Sequence, residues 1–295
     1  MIQIKFLLLT FIYFLGCNQL QNHSFQPIQG FDKETNDRLE VFFKETQNYP
    51  KRKIAVFDGD GTVLGQAPHY MADECLFEVA KNNPDKKPEI IKKMIPMSNV
   101  SIEYVQLRVK FFEGDTVESI RNLGVNCYKS HYAEKVFQQM KDLIQLLRQN
   151  QFEVWIITAS PEALYQKILS EELKIPITNI VGVKSIVREG KITGEMILPI
   201  PQDHGKKEAI ETFVQERPLL VGGNSRGDKE MIEYSGNLKL IINPDEHVAE
   251  DQTESIAEYA RKNNWLIAKI RDVPANDFSY ISSKSFNIKK NKTNE

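Results

Sequence analysis

Two carboxylates stand two residues apart in Asp58-Gly59-Asp60-Gly61-Thr62, directly after the apolar run Ile54-Ala55-Val56-Phe57. Strand side chains alternate with period two, so extended geometry carried through Asp60 would point both acids to one face. Carboxylates held that close repel and call for a cation or a shared proton. A hard, oxygen-seeking ion such as Mg²⁺ satisfies them. A calcium loop starting at Asp58 fails on register: its fifth ligand position falls on Thr62, its glycine on Val63 and its bidentate glutamate on His69. A plain surface turn, using Asp and Gly for their backbone preferences, is the alternative.

Three further places carry groups suited to an anion or a cation. Val154-Trp155-Ile156-Ile157 runs into Thr158-Ala159-Ser160-Pro161. Ser160 reads there as a helix N-cap, with Pro161 at the first helical position. Free N–H groups and the dipole at such a helix start favour a phosphate. Lys206 lies in Gly205-Lys206-Lys207-Glu208-Ala209-Ile210, with Lys207 as its rival; an ordinary solvated lysine is the plain reading of either. Leu219-Leu220-Val221 enters Gly222-Gly223-Asn224-Ser225-Arg226-Gly227-Asp228, a glycine-rich turn with a carboxylate. It is not a Walker loop, because Asp228 rather than Lys follows Gly227.

Taken in order, these four places resemble the motifs of the haloacid dehalogenase superfamily, mostly Mg²⁺-dependent phosphatases. The resemblance covers about residues 35–270. It implies that Asp58 is a nucleophile and Asp60 a general acid and base whose main-chain carbonyl also binds Mg²⁺. It implies that Thr158 and Ala159 hold phosphoryl oxygens and that Lys206, the motif lysine, neutralises Asp58 and the phosphoryl group. The implied metal set is Asp58, Asp60, Asn224 and Asp228, the last pair standing four apart as in the family's fourth motif. Asn224 departs from the commoner Asp; an amide oxygen still binds Mg²⁺, with less charge. Asp228 is expected to hold metal-bound water or to orient Lys206.

The elements that would position these groups follow from periodicity. Leu39, Phe42 and Phe43 mark an amphipathic helix over 35–47. Residues 68–150 read as helical almost throughout, with stripes at Met71–Ala80, Ile90–Ile95 and Val136–Leu147. Asp115-x-x-Glu118 reads as a capping pair, and 100–112 is too β-branched to assign. From Phe152 onward strands alternate with helices, with a hairpin turning at Glu189-Gly190 and a helix expected over 248–262. Alternation of this kind argues for an α/β fold with a mostly parallel sheet covered by helices. By resemblance this is a Rossmann-like core over 35–66 and 144–274, with a helical cap inserted at 67–143 after the first motif strand, a position that resembles that of phosphoserine-phosphatase-like members.

The chain has 295 residues, 41% hydrophobic and 26% charged, with formal net charge −2, which suits a globular body and gives no nucleic-acid footprint. Lys5 and the apolar run Phe6–Leu15 are too short to span a bilayer and read as a signal peptide over 1–17. Leu15-Gly16-Cys17 resembles the bacterial lipoprotein processing box, which implies lipidation at Cys17 and an exported, membrane-anchored protein; plain secretion is the alternative. Residues 18–34 read as a tether and 275–295 as a polar, disordered tail. In an exported protein Cys75 and Cys127 can form a disulfide or remain two buried thiols.

The reading is a hydrolase of small phosphomonoesters. Two stretches, 154–162 and 223–228, resemble exported phosphocholine-phosphatase-like proteins, which brings phosphocholine among the candidate substrates. Tyr70, Tyr104, Tyr128 and Tyr132 are available for a quaternary ammonium, or for packing. The alternative from another class is a lipid-anchored binding module with a weakened site.

Overall fold

The computed structural model describes residues 25–248, 252–275 and 278–293. The expected signal peptide and Cys17 lie outside the described residues. Among the described residues seven strands form one sheet: β1 (Lys53–Phe57), β2 (Phe152–Pro161), β3 (Ile180–Arg188), β4 (Lys191–Ile197), β5 (Leu220–Gly223), β6 (Leu238–Ile242) and β7 (Leu266–Ala268). Their order is β4-β3-β2-β1-β5-β6-β7, with every neighbouring pair parallel except β3 and β4.

The pleat sorts the apolar residues onto two buried faces. Ile54, Val56, Val221 and Ile241 face one side; Ala55, Phe57, Leu220 and Leu240 face the other. Both faces are therefore covered, as parallel strands with near-continuous apolar runs require. Helix α1 (Lys33–Thr46) precedes β1. Helices α2 (Met71–Asn82), α3 (Pro88–Met94), α4 (Ile102–Phe111) and α5 (Val117–Cys127) are inserted between β1 and β2, and α6 (Gln138–Gln149) returns to the sheet beside β2. The remaining helices are α7 (Glu162–Leu173), α8 (His204–Ala209), α9 (Lys229–Glu233), α10 (Ile256–Lys262) and α11 (Ile281–Phe286). Helices α1, α6 and α7 cover one face, and α8, α9 and α10 the other. The chain leaves β1 towards β2 and later returns to β5 on the other flank. That reversal opens a crevice at the exit of β1.

Several expectations change. Asp115 does not cap α5; Thr116 does, accepting from Ser119 N at 3.1 Å, while Asp115 pairs with Lys86 at 2.5 Å. Helix α10 begins at Ile256 rather than 248, because Ser255 and Glu258 form a capping box that sets its start. The expected tether over 18–34 does not reach so far: Ile28 and Phe31 are buried and the Phe25 ring lies 5.9 Å from that of Phe43. The tail is not a free polar segment either. Phe278 and Ile288 are buried, and Phe286 meets Phe77 of α2 at 4.8 Å between ring centroids. The apolar residues there are few, but Phe278 and Phe286 pack on aromatic rings of the inserted segment. Cys75 of α2 and Cys127 of α5 form a disulfide. The hairpin turns at Glu189-Gly190 as expected, both residues at positive φ (51° and 75°).

Candidate active site

Asp58 leaves β1 with its amide still donating to Gly222 O of β5 at 2.9 Å. The chain then turns sharply, with Gly59 O accepting from Val63 N and Leu64 N at 2.9 and 3.0 Å. Gly61 sits at φ +81°, and a Cβ there would stand 2.1 Å from Asn224 Nδ2 and 2.7 Å from Gln66 Oε1. Only glycine fits both the dihedral and the space. The turn keeps Asp58 and Asp60 on one cavity of about 100 Å³, which Thr158, Ala159, Ser160, Lys206 and Asn224 also line.

Lys206, on the short helix α8, is buried and bridges two carboxylates: Nζ donates to Asp58 Oδ1 at 2.6 Å and to Asp228 Oδ1 at 2.5 Å. Its neighbour Lys207 instead pairs with Glu211 at the surface. Burial alone would lower the Lys206 ammonium, but Asp228 and Asp58 together hold it above the usual lysine range, so it stays charged. Asp228 is fully engaged, since Oδ2 accepts from Asn224 N, Ser225 N and Ser225 Oγ, each at 3.0 Å. One positive charge thus serves two carboxylates. Burial pushes the Asp58 carboxyl up to about 7 against the pull of Lys206, with the charges of Asp228 and Asp60 adding to the rise. Asp58, Asp60 and Asp228 outnumber the single lysine, and a divalent cation would restore the balance.

The donor set fits such a cation. The Asn224 amide lies 3.2 Å from Asp60 O and 3.3 Å from Asp228 Oδ2, so with Oδ1 turned inward the oxygens of Asn224 and Asp60 face each other beside Asp228 Oδ2, which keeps its three donors. Oxygen-only surroundings suit Mg²⁺. Among the described residues no three His, Cys, Asp or Glu side chains are grouped so that they could hold a metal ion; the donors here include a main-chain carbonyl and an amide.

Asp60 is held differently. Its Oδ2 accepts from Ser160 Oγ at 2.8 Å and its Oδ1 from the Tyr165 hydroxyl at 2.7 Å. Burial raises its carboxyl above the ordinary range, with Tyr165 and Ser160 working against that rise. Ser160 is therefore not the helix cap expected from its place before Pro161. Strand β2 continues to Pro161, and α7 starts at Glu162 without a side-chain cap. Thr158 is buried beside the acidic turn: a Cβ on Gly59 would lie 3.1 Å from its Oγ1, which accepts from Ser160 N at 3.1 Å.

Arg108 was not among the expected site residues. It comes from α4, in the stretch whose type periodicity left open, and lines the same cavity. Nε donates to Asp73 Oδ1 at 2.8 Å, and the guanidinium lies 5.6 and 4.9 Å from the ring centres of Tyr70 and Tyr104. Its Nη2 is buried with no hydrogen-bond partner among the described residues. Tyr165, on the first turns of α7, was missed too. Its only sequence signal is its place shortly after the Thr158 motif, where the helix must still face the strand exit.

A family model for haloacid dehalogenase-like hydrolases matches residues 55–233, more than half of the chain. The chain belongs to that family. This haloacid dehalogenase-like hydrolase is 25% identical over 166 residues to a phosphoserine phosphatase of Mycobacterium tuberculosis, covering 55% of this chain and 50% of that one. A hydrolase of Mycobacterium leprae matches at 25% over 166 residues, 55% of this chain and 51% of that one. The hydrolase thus spans about half the length of the curated relatives it matches. Among solved structures, a conserved protein of unknown function from Anaerococcus prevotii superposes with a TM-score of 0.63 at 15% identity, over 85% of this chain and 97% of that one. One of unknown function from Bordetella pertussis gives 0.58 at 13%, over 74% and 98%. At these identities the likeness concerns the fold.

Proposed function

We propose that this hydrolase is a Mg²⁺-dependent phosphomonoesterase that works through an aspartyl-phosphate on Asp58. The observation that carries the reading is the Lys206 bridge between Asp58 and Asp228, with Asp60 held separately by Ser160 and Tyr165. A carboxylate nucleophile divides a difficult hydrolysis into two easier steps. An Asp58 oxygen attacks phosphorus, the bond to the leaving oxygen breaks, and Asp60 gives that oxygen its proton. Water then attacks phosphorus as Asp60 takes back a proton, the bond to Asp58 breaks, and inorganic phosphate leaves. Lys206 offsets charge on Asp58 and on the phosphoryl oxygens, with Thr158 Oγ1 and the Ala159 amide as further donors. Asp58, the Asp60 carbonyl and Asn224 would hold Mg²⁺, with Asp228 behind Lys206; the ion supplies charge neutralisation at the phosphoryl group.

The unpartnered Nη2 of Arg108 favours a leaving group with a second anionic substituent, such as a carboxylate. A quaternary ammonium has less support, because Tyr70 and Tyr104 already flank a cation, Arg108. Tyr132 donates to His69 O at 2.7 Å and so serves the inserted helices. The likeness to a phosphoserine phosphatase of Mycobacterium tuberculosis points the same way. The weakened-site alternative gains no further support: an Asn224 amide turned with its oxygen inward still offers a donor at the metal position.

Turnover of O-phospho-L-serine, phosphocholine and p-nitrophenyl phosphate, each with Mg²⁺ and with EDTA, tests the reading. We expect Mg²⁺-dependent turnover with a preference for the anionic leaving group. Arg108→Lys should raise KM for phosphoserine at least tenfold while leaving p-nitrophenyl phosphate nearly unchanged. No turnover of any ester would overturn the reading.

Export with a lipid anchor at Cys17 is part of the same proposal. The disulfide Cys75–Cys127 supports it, since such bonds persist in oxidising compartments. Partition of the native protein into the detergent phase of Triton X-114, lost in Cys17→Ser, is the expected result. An unmodified Cys17 in intact mass would favour plain secretion.

A further inference from the structure

The loop Gly65–Pro68 lies just past the acidic turn and has no ladder of its own, so its backbone groups depend on remote partners. Gly65 N donates to Lys135 O at 2.8 Å, and Gln66 N and Ala67 N donate to Asp272 Oδ2 at 2.9 and 3.2 Å. The loop carbonyls are met from the C-terminal segment. Asn291 Nδ2 donates to Gln66 O at 2.8 Å, and Asn291 N to Pro68 O at 2.7 Å. Held this way, the Gln66 side chain reaches the site, where Asn224 Nδ2 donates to its Oε1 at 3.4 Å.

The segment that supplies Asn291 is itself anchored. Glu74 of α2 is fully buried and accepts from Ser279 Oγ at 2.5 Å, Ile281 N at 2.6 Å and Ser282 N at 3.0 Å, satisfying the free amides at the start of α11. Phe278 packs edge-on against Tyr132, with ring centroids 5.3 Å apart. Residues 288–292 then line a second cavity that shares Gln66, Tyr70 and Asn224 with the catalytic one.

Asn224 has two amide orientations. With Nδ2 inward it would donate to Asp60 O and Asp228 Oδ2, at 3.2 and 3.3 Å, and leave no oxygen for a cation. With Oδ1 inward, Nδ2 turns to Gln66 Oε1. We propose that the segment Phe278–Lys292 is a positioning element of the metal site, acting through Asn291 and Gln66 to hold the Asn224 oxygen inward. This rests on the phosphatase reading above, which gives Asn224 its metal position. Outer partners of this kind typically change metal affinity by about 10–100-fold.

Isothermal titration of the full chain with Mg²⁺ tests it, using Gln66→Met and Asn291→Ala in the wild-type and Asn224→Asp backgrounds. A carboxylate offers oxygen in either orientation and needs no positioning. We expect each variant to weaken Mg²⁺ binding about tenfold with Asn224 and less than twofold with Asn224→Asp, at unchanged melting temperature. Equal losses in both backgrounds would reduce the segment to a structural prop, and no loss in either would remove it from the site; both overturn the proposal. A wild-type protein that binds no Mg²⁺ would overturn the phosphatase reading along with it, and that result is distinct from the others.

Discussion

Tyr165 donates its hydroxyl to Asp60 Oδ1 at 2.7 Å across 105 positions of sequence. A hydrogen bond to the ionised carboxylate favours the charged form and so restrains the rise that burial imposes. Tyr165→Phe should therefore move the limbs of the kcat/KM–pH profile that belong to Asp60 to higher pH. It should also lower kcat by about tenfold, a part of the 10²–10⁴-fold that general acid–base catalysis supplies. A profile displaced to lower pH would contradict the assignment.

Asp58 contributes to the pH dependence of the metal-free protein. Its carboxyl is raised from an ordinary 3.8 to about 7, so between those values the folded chain binds the proton more tightly than the unfolded chain. Stability from this group is fully present below pH 3.8 and is lost as pH rises through 7. Urea unfolding at a series of pH values in EDTA should show that decline, and Asp58→Asn should flatten it. The same variant should lose on the order of 10⁴-fold or more in turnover.

Asn224→Asp separates charge from geometry. With Mg²⁺ it should tighten binding on the order of tenfold, because a charged ligand replaces a neutral one. In EDTA it should lower the melting temperature, since a further carboxylate then joins Asp60 and Asp228 in a cavity whose cations, Lys206 and Arg108, already pair with carboxylates. Calorimetry in the two buffers should give shifts of opposite sign.

The bond between Cys75 and Cys127 closes a loop of 52 positions. Chain-entropy arguments assign such a loop about 4 kcal/mol. Reduction, or Cys75→Ser with Cys127→Ser, should lower unfolding stability by about that amount. Denaturant curves with and without reductant measure it.

What could be read in advance was what lies at strand exits. Asp58, Thr158 and Asn224 each follow an apolar run that ends in a glycine- or cap-rich turn, and the sheet brings those exits together. Lys206 was singled out by its resemblance to the family's motif lysine, and its rival Lys207 faces outward because a helix turns successive residues about 100° apart. Arg108 could not be read, since a buried arginine inside a helical stripe breaks the apolar pattern rather than announcing itself. Its partner Asp73 lies 35 positions away in another helix. Ser160 was misread because a residue before proline looks like a cap until Asp60 is known to stand opposite. The C-terminal segment was misread as a polar tail because much of its hold comes from a remote buried carboxylate, Glu74, which has no signature in the tail's own composition.

The bonds from Asn291 also set an order of events. Gln66 and its partner are 225 positions apart, and ribosomal synthesis delivers them in that sequence. The sheet, complete at β7, can close while the carbonyls of Gln66 and Pro68 still face water. Docking of residue 291 is then the step that satisfies the backbone of the loop 65–68. A chain threaded unfolded across a membrane would reach that step only after its last strand had crossed.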